Sequence, residues 1–267
     1  MDTITITADD GADVDVLVWR PEAASGRPIK GLVQFCHGMA EYAARYDEVA
    51  RVLAADGWLV VANDHRGHGP RAAAIGELGT TSDRGYHQLL DDLSAVADHF
   101  MAKLEGKPWF LVGHSMGSFL ARVLAVRRGR EMAGLVIIGT GSSLGPLSTV
   151  ATGLAQAQVL MVGEDSRSPL LNTLSFGSFN RAFLPARTDY DWLSRDAHVV
   201  DAYNDDPLCG FVCTAAFYRE LVRLHRDLPS DSTGTAHSAD VGRQGPGGGL
   251  RQGSAPGRAS VARLGLA

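Results

Sequence analysis

One serine, set between two glycines, offers the clearest chemistry in this 267-residue chain. Gly113-His114-Ser115-Met116-Gly117 follows a short apolar run at 109–112 and precedes an apolar pattern with helical spacing. The run predicts a buried strand, so Ser115 stands at a sharp strand-to-helix corner. Small residues two positions to either side allow a backbone conformation that other residues resist. Such a corner pushes the serine hydroxyl out of the sheet, where it can act as a nucleophile.

The same corner offers a donor for a negatively charged oxygen. The first N–H groups of a helix have no partner within it, and the helix dipole favours negative charge there. The N–H of Met116 is therefore predicted to point at an oxyanion. A second Gly-x-Ser-x-Gly match at 141–145, centred on Ser143, is interpreted as a loop because Pro146 obstructs the first turn of a following helix.

The elements around this corner predict an α/β fold. Apolar runs typical of buried strands lie at 31–36, 58–62, 109–112 and 135–138, and helical patterns lie at 45–55, 86–104 and after Ser115. Strands that alternate with helices at this spacing indicate right-handed crossovers and a mostly parallel sheet covered by helices on both faces. Two β-rich stretches at 3–7 and 14–19 predict an antiparallel hairpin at the start of the chain.

The second half of the chain is less regular. Residues 1–141 form the first part of the core, and 142–208 break the strand–helix alternation with helix-like pieces, turns and a concentration of aromatic residues. An insert of this length predicts a helical lid over the carboxyl ends of the strands. Its aromatic residues either line an acyl pocket or fix the lid to the body, and both interpretations stay open. Residues 209–228 predict a further core helix.

The segment 229–267 has a different composition. It contains no Phe, Trp, Tyr, Ile, Lys, Glu or Met, and Gly, Ser, Ala and Arg dominate it. Such a segment buries too little apolar surface to offset its ordering entropy, so it is predicted to be disordered. No strand-like run is recognised there to continue the sheet, which indicates that the final strands and the last helix of the fold are missing.

Three stretches resemble the α/β-hydrolase fold and, within it, the monoacylglycerol lipase and lysophospholipase-like serine hydrolases. They are HGMAEYAARYDEVARVLAADGWLVVANDHRGHG, GHSMGSFLAR and SFGSFNRAFLPARTDYDWLSRD, within about residues 31 to 225. The resemblance implies that Ser115 is the nucleophile, that the N–H groups of Met39 and Met116 form the oxyanion hole, and that the turn at 64–69 braces the pocket. It also implies hydrolysis of a small lipid ester, of glycerol or of a lysophospholipid, without metal or organic cofactor.

The remaining catalytic groups of that family are not recognisable. A serine nucleophile needs an imidazole base oriented by a carboxylate, in the chain order Ser, acid, His. The resemblance places the acid after a strand that follows the helix ending near residue 224. Asp240 lies near that place as a candidate acid, but no aliphatic run precedes it to hold it. No histidine follows Asp240, since His225 and His237 precede it, so the base is unknown. We interpret the last forty or so residues as an out-of-frame or otherwise altered ending.

The other histidines of these motifs are interpreted as braces. His37, His65, His68 and His114 sit in motifs that the resemblance gives other roles, so a bracing role is favoured over that of a general base. Three cysteines, an odd number in a chain of this size, favour reduced thiols over a disulfide framework, and their surroundings do not suggest a zinc site.

Composition narrows the class of protein. A net charge of −5 gives no electrostatic reason to expect nucleic acid or an anionic membrane surface as a partner. No apolar run is long enough for a transmembrane segment, and the acidic, alternating N-terminus is unlike a signal peptide, so a cytoplasmic location is predicted. The sequence does not indicate an oligomeric state.

The sequence thus predicts a serine hydrolase of carboxylic esters that is impaired because its acid and base are not recognisable. Two alternatives of other classes remain, namely a non-catalytic lipid-binding protein and an inactive fragment on the same scaffold. A peptidase or a carbon–carbon bond hydrolase is a further enzymatic alternative, since the Ser115 corner does not fix the substrate.

Overall fold

A seven-stranded sheet organises the computed structural model, which describes residues 1–22, 28–82, 84–142, 145 and 147–229 and the backbone of 260–263. The strands are β1 (Asp2–Thr7), β2 (Asp13–Trp19), β3 (Leu32–Cys36), β4 (Leu59–Asn63), β5 (Trp109–His114), β6 (Gly134–Ile138) and β7 (Ser260–Arg263). Their order is β1-β2-β4-β3-β5-β6-β7; β1 and β2 run antiparallel to their neighbours, and the other pairs are parallel. The predicted opening hairpin and mostly parallel sheet are confirmed.

Eight α-helices accompany the strands in the described part of the chain. They are α1 (Asp47–Ala55), α2 (Gly69–Ala74), α3 (Tyr86–Met101), α4 (Met116–Arg128), α5 (Leu147–Val162), α6 (Pro169–Phe176), α7 (Ala197–Asp205) and α8 (Ala215–Arg226), with 3-10 turns at Ala43–Tyr46 and Phe179–Phe183. The core helix predicted within 209–228 begins at Ala215 because the Thr214 hydroxyl caps it by accepting the N–H of Phe217 at 3.3 Å.

The two faces of the sheet differ in their cover. Side chains alternate along each strand, so Leu111 of β5 joins the core that includes α3, α4 and α8, whereas Val112 joins the core that includes α1. Within the described residues α1 is the only α-helix that contributes buried side chains to this second core. Val136 and Ile138 of β6 are consequently only partly buried at its margin.

The prediction that no strand follows residue 229 is wrong for residues 260–263. These residues form β7, which pairs in parallel with β6 so that Val261 lies opposite Leu135. The strand is not recognisable in the sequence because it is four residues long and has a single β-branched side chain. It forms mainly because the unpaired edge of β6 offers hydrogen-bonding groups to pair with. The remainder of the segment predicted to be disordered lies outside the described residues.

The order of the central strands creates a crevice at their carboxyl ends. From β3 the chain passes to β4 on one side and later to β5 on the other, so the direction of winding changes between β3 and β5. Ligands of open α/β sheets bind at such a switch point. The turn after β3 and the corner at Ser115 after β5 both lie there.

Candidate active site

Ser115 occupies a strained corner between β5 and α4. Its φ of 50° and ψ of −120° lie in a region that residues other than glycine seldom adopt. Its N–H donates to the carbonyl of Ile138 at 2.9 Å, which ties the corner to the end of β6. Backbone strain of this kind persists only where the surrounding structure enforces it, and it concentrates at functional sites. The geometry therefore supports the predicted nucleophile.

The two glycines of the motif are required by close approach. A Cβ atom on Gly117 would lie 2.0 Å from the carbonyl oxygen of Cys36, and one on Gly113 would lie 2.5 Å from the carbonyl oxygen of Gly117. The backbone of α4 thus packs directly on the end of β3. This contact sets the distance between the corner and the turn that follows β3.

Two backbone N–H groups near Ser115 have no acceptor within the described residues. Met116 is the first residue of α4, so its N–H has no partner in the helix. Met39 lies in the turn after β3, and its N–H makes no hydrogen bond there. Both residues are buried and line the same cavity as Ser115. This arrangement supports the predicted oxyanion hole, which stays a prediction.

The 38–41 turn, which carries Met39, is held on both sides of that residue. The N–H of Gly38 donates to Oε1 of Glu41 at 2.6 Å, and the N–H of Ala40 donates to Nε2 of His68 at 3.2 Å. Ala40 itself has a φ of 55°, a second strained position at this site. The neighbouring N–H groups are thus engaged while that of Met39 is left free.

A buried carboxylate, Glu41, joins the 38–41 turn to the serine corner. Its Oε1 lies 2.7 Å from Nδ1 of His114 and accepts the hydroxyl of Tyr46 at 3.0 Å. Burial alone would raise the pKa of Glu41, but the hydrogen bond and charge of His114 and the bond from Gly38 lower it overall. The role of Glu41 is not predictable from the sequence, where its one signal is that of an acidic residue close after a buried strand.

Three histidines with adjacent rings, His37, His65 and His68, form a histidine cluster beneath the 38–41 turn. Nε2 of His37 accepts the N–H of His65 at 2.9 Å, and Nδ1 of His37 lies 2.8 Å from the carbonyl of Gly38, which accepts its hydrogen. Nε2 of His68 likewise accepts a backbone N–H, that of Ala40. Because these nitrogens already face N–H donors, a proton on either would oppose another proton. The geometry therefore favours neutral rings for His37 and His68.

The pKa values agree with neutral rings. Burial lowers the pKa of His37 well below its usual value, that of His65 to about 3 and that of His68 to about 4. A general base works best with a pKa near the operating pH. None of the three rings lines the cavity beside Ser115. These observations support the bracing role given to them by resemblance.

The histidine cluster is expected to make folding sensitive to mild acid. Unfolded histidines titrate near pH 6.5, so stability present above that pH is lost as the pH falls towards 4. On unfolding near pH 5 the three histidines together take up about three protons. Burial also raises the pKa of Asp64 to about 6, so Asp64 releases about one proton on unfolding and offsets one of the three. With about two protons net, the unfolding free energy should fall by roughly 2–3 kcal/mol per pH unit near pH 5. Urea unfolding at pH 7, 6 and 5 measures this slope.

Two variants isolate the contribution of the histidine cluster. His68→Asn removes one buried imidazole and should reduce the slope by about one proton. His198→Asn, at an exposed position in α7, is the matched control and should leave the slope unchanged. Equal slopes for His68→Asn and the wild type would contradict the assignment.

The turn at 64–69 connects several elements. Arg66 binds the carboxylates of Asp10 and Asp92, with closest distances of 2.7 Å to each, and Oδ1 of Asp64 accepts the N–H of Ala43 at 2.7 Å. None of its side chains appears among the described residues that line the cavity. These contacts support the predicted brace.

A large cavity lies between the strand ends and the insert, which we define as residues 147–208. It has a volume of about 1050 Å³, and Ser115, Met39 and Met116 form part of its wall. The insert contributes aromatic side chains to the opposite wall, namely Phe176, Phe179, Tyr190, Trp192 and Tyr203. The ring of Phe179 also packs edge-on against Trp192, with centroids 4.8 Å apart. The aromatic residues therefore both line the cavity and hold the insert together.

The structure does not bring a general base onto the serine. Within the described residues no imidazole is hydrogen-bonded to the Ser115 hydroxyl, although His114 and His225 both line the cavity. His114 is engaged with Glu41. The ring of His225 packs on Phe119 at 4.1 Å, and burial lowers its pKa. Asp240, the candidate acid, and His237 lie outside the described residues, so acid and base stay unassigned.

The described residues contain neither a cluster suited to a metal ion nor a helix suited to a bilayer. The described part of the chain has no cluster of three or more His, Cys, Asp or Glu side chains placed to hold a metal ion. No helix within it has the length and apolarity needed to cross a bilayer. Its three cysteines, Cys36, Cys209 and Cys213, are buried and free.

Comparison with known sequences gives consistent matches. The sequence profile of the family described as serine aminopeptidase, S33, matches residues 27–234. Monoglyceride lipase from Homo sapiens is 34% identical over 225 residues, which cover 82% of this chain and 66% of that protein. Monoacylglycerol lipase from Mycolicibacterium smegmatis is 27% identical over 215 residues, which cover 79% and 67%. The chain thus spans about two thirds of the length of these relatives.

Comparison with solved structures supports the fold. A highly thermostable carboxyl esterase from Bacillus coagulans, crystallised with glycerol, superposes with a TM-score of 0.76 at 23% identity, covering 85% of this chain and 76% of that one. A soluble variant of monoglyceride lipase from Saccharomyces cerevisiae gives 0.60 at 18% identity, covering 84% and 68%. At these identities the likeness shows the fold alone, and the predicted α/β-hydrolase fold is confirmed.

Proposed function

Because this chain belongs to the serine aminopeptidase S33 family, we propose that it is a serine hydrolase of carboxylic esters whose substrates are monoacylglycerols or lysophospholipid-type esters. The main observation in support is that the strained Ser115 lies beside the free N–H groups of Met39 and Met116 in one large cavity with aromatic side chains. The names of the related lipases support an ester, where the family description names a peptidase.

In the proposed reaction Ser115 Oγ attacks the ester carbonyl carbon. The carbonyl oxygen gains negative charge and accepts hydrogen bonds from the N–H groups of Met39 and Met116. The carbon–oxygen bond to the glycerol oxygen then breaks, glycerol leaves with a proton, and an acyl ester on Ser115 remains. Water attacks this ester, and the products are a fatty acid and the free serine. No metal or organic cofactor takes part in these steps.

The proton transfers are the steps of this reaction for which the described residues provide no assigned catalytic group. Oγ must lose a proton as it attacks, and the leaving oxygen must gain one. Because neither acid nor base is assigned, we propose that turnover rests on the oxyanion hole and on binding. Loss of triad members costs on the order of 10⁴ to 10⁶ in rate, and the chain should be slow by a comparable factor.

The insert is proposed to act as a lid over the acyl chain. Its helices α5 and α6 and its aromatic side chains border the cavity, whose volume of about 1050 Å³ exceeds what a short acyl group would fill. Apolar walls stabilise a bound chain by about 0.8 kcal/mol for each CH₂ group removed from water. A long-chain monoester is therefore the substrate that the cavity fits best.

Substrate preference tests this proposal. Hydrolysis of a long-chain monoacylglycerol, of glycerol monoacetate and of an aminoacyl p-nitroanilide should be followed with purified protein at high enzyme concentration. We expect kcat/KM for the long-chain ester to exceed that for the acetate at least about tenfold, because each buried CH₂ adds to binding. Faster cleavage of the anilide would support the peptidase alternative instead.

The absence of an assigned base favours a second candidate, a non-catalytic lipid-binding protein on the same scaffold. Titration of a fluorescent long-chain fatty acid distinguishes the two. Tight binding without turnover of any ester would favour the binding protein. Neither binding nor turnover, with no cooperative unfolding transition, would identify an inactive fragment.

A further inference from the structure

The carbonyl of Ala40, in the 38–41 turn, receives two hydrogen bonds from the insert and the loop that follows it. The hydroxyl of Tyr203, on α7, donates to it at 2.9 Å, and the N–H of Gly210 donates to it at 3.0 Å. The N–H of Gly210 also lies 3.1 Å from the hydroxyl oxygen of Tyr203. The three groups form a closed set of contacts on a residue whose φ is 55°.

Tyr203 is itself held in place. Its side chain is 7% exposed, and its ring packs edge-on against Tyr190 with centroids 4.9 Å apart. The guanidinium of Arg45 lies over the same ring at 4.8 Å. The hydroxyl of Tyr190 donates to the carbonyl of Gly210 at 2.9 Å. These contacts hold the Tyr203 hydroxyl in position against the 38–41 turn.

The rest of the turn is anchored in the body of the protein. Glu41 holds the N–H of Gly38, and His68 holds the N–H of Ala40. The carbonyl oxygen of Ala40, in contrast, is held by Tyr203 and Gly210, which follow α6 in the chain. A strained residue keeps its conformation only while its contacts remain, at a cost of about 1–3 kcal/mol.

We propose that Tyr203 is a positioning residue whose hydroxyl, supplied by the insert, fixes the 38–41 turn and so aims the N–H of Met39 at the oxyanion. The inference rests on the proposed function, because it assigns Met39 to the oxyanion hole. The oxyanion hole is then complete only when α7 is packed against the 38–41 turn. The insert then contributes to the reaction as well as to substrate binding.

The test compares Tyr203→Phe with Tyr42→Phe. The phenylalanine keeps the ring of residue 203 and removes only the hydroxyl, while the Gly210 bond to Ala40 can persist. Tyr42 is the matched control. Its hydroxyl donates to Asp206 Oδ2 at 2.8 Å and so also joins the segment after β3 to the end of the insert, but among the described residues it makes no hydrogen bond to the Ala40 carbonyl. Thermal unfolding should first establish that both variants fold.

Hydrolysis of the long-chain monoester gives the first readout. Loss of a whole oxyanion donor costs about 10² to 10³ in kcat, so a misaimed donor should cost about tenfold in kcat for Tyr203→Phe with KM unchanged. Tyr42→Phe should remain within about twofold of the wild type. A kcat for Tyr203→Phe that equals that of Tyr42→Phe would overturn the inference while leaving the proposed function standing.

Amide hydrogen exchange gives a second readout that does not depend on activity. NMR exchange rates of the Ala40 and Gly210 N–H groups should rise at least about threefold in Tyr203→Phe and stay unchanged in Tyr42→Phe. If the wild type hydrolyses no ester, the proposed function fails, and these rates alone decide whether the hydroxyl fixes the turn. Unchanged exchange in Tyr203→Phe would then refute it.

Discussion

Imidazole is expected to accelerate ester hydrolysis by the wild-type chain at least about tenfold and to leave the Ser115→Ala variant at the buffer rate. A positioned general base is worth about 10² to 10⁴ in rate, and free imidazole at tens of millimolar should recover part of that factor. The effect requires a serine that is correctly placed but lacks a base. Release of p-nitrophenol from a long-chain ester, with the Ser115→Ala rate subtracted at each imidazole concentration, measures it.

A second serine variant controls for indirect effects. Ser143→Ala changes the centre of the other Gly-x-Ser-x-Gly match, at 141–145, and should keep the full response to imidazole. The acceleration should follow the neutral fraction of imidazole as pH is varied, because only that form accepts a proton. Fluorophosphonate labelling should increase in parallel and map to Ser115.

Two results would contradict this account in different ways. If imidazole accelerates the wild type and Ser115→Ala equally, Ser115 is not the nucleophile. If the wild type is already fast and replacement of His114 or His225 removes its activity, the chain contains a substitute base. His114 deserves that comparison because Glu41 orients its Nδ1, so its other ring nitrogen is the one free to accept a proton.

The parts of the fold that were predictable have strong local patterns. The strand before Ser115 and the glycines around it are adjacent in sequence, so their period and spacing predict the corner directly. The order of strands and helices likewise predicts a mostly parallel sheet. In these segments local preference and tertiary packing agree.

The parts that escaped prediction depend on partners distant in the chain. Glu41 joins His114 across 73 residues and Tyr203 reaches Ala40 across 163, and no periodicity reports such pairs. β7 was missed because its pairing with β6 outweighs the weak strand preference of its own four residues. Both cases concern contacts that only the assembled sheet and insert bring together.

Gly117→Ala is expected to destabilise the protein by about 3 kcal/mol and to lower the urea concentration at which it unfolds. Its Cβ would lie 2.0 Å from the backbone carbonyl oxygen of Cys36, so α4 or β3 must move, and overpacking of this kind costs 1–3 kcal/mol or more. That is a large share of the 5–15 kcal/mol that stabilises a typical domain. Soluble yield and urea unfolding measure the effect.

Another helical glycine provides the matched control. Gly153 lies within α5, and apart from the neighbouring backbone of that helix a Cβ there would meet no heavy atom within 4 Å. Gly153→Ala should therefore be neutral or stabilise the protein by up to about 1 kcal/mol, because alanine is the better helix former. If Gly117→Ala unfolded at the same urea concentration as Gly153→Ala, direct packing of α4 on β3 would be disproved. The spacing between Ser115 and the 38–41 turn would then need another cause, because that packing is what sets it.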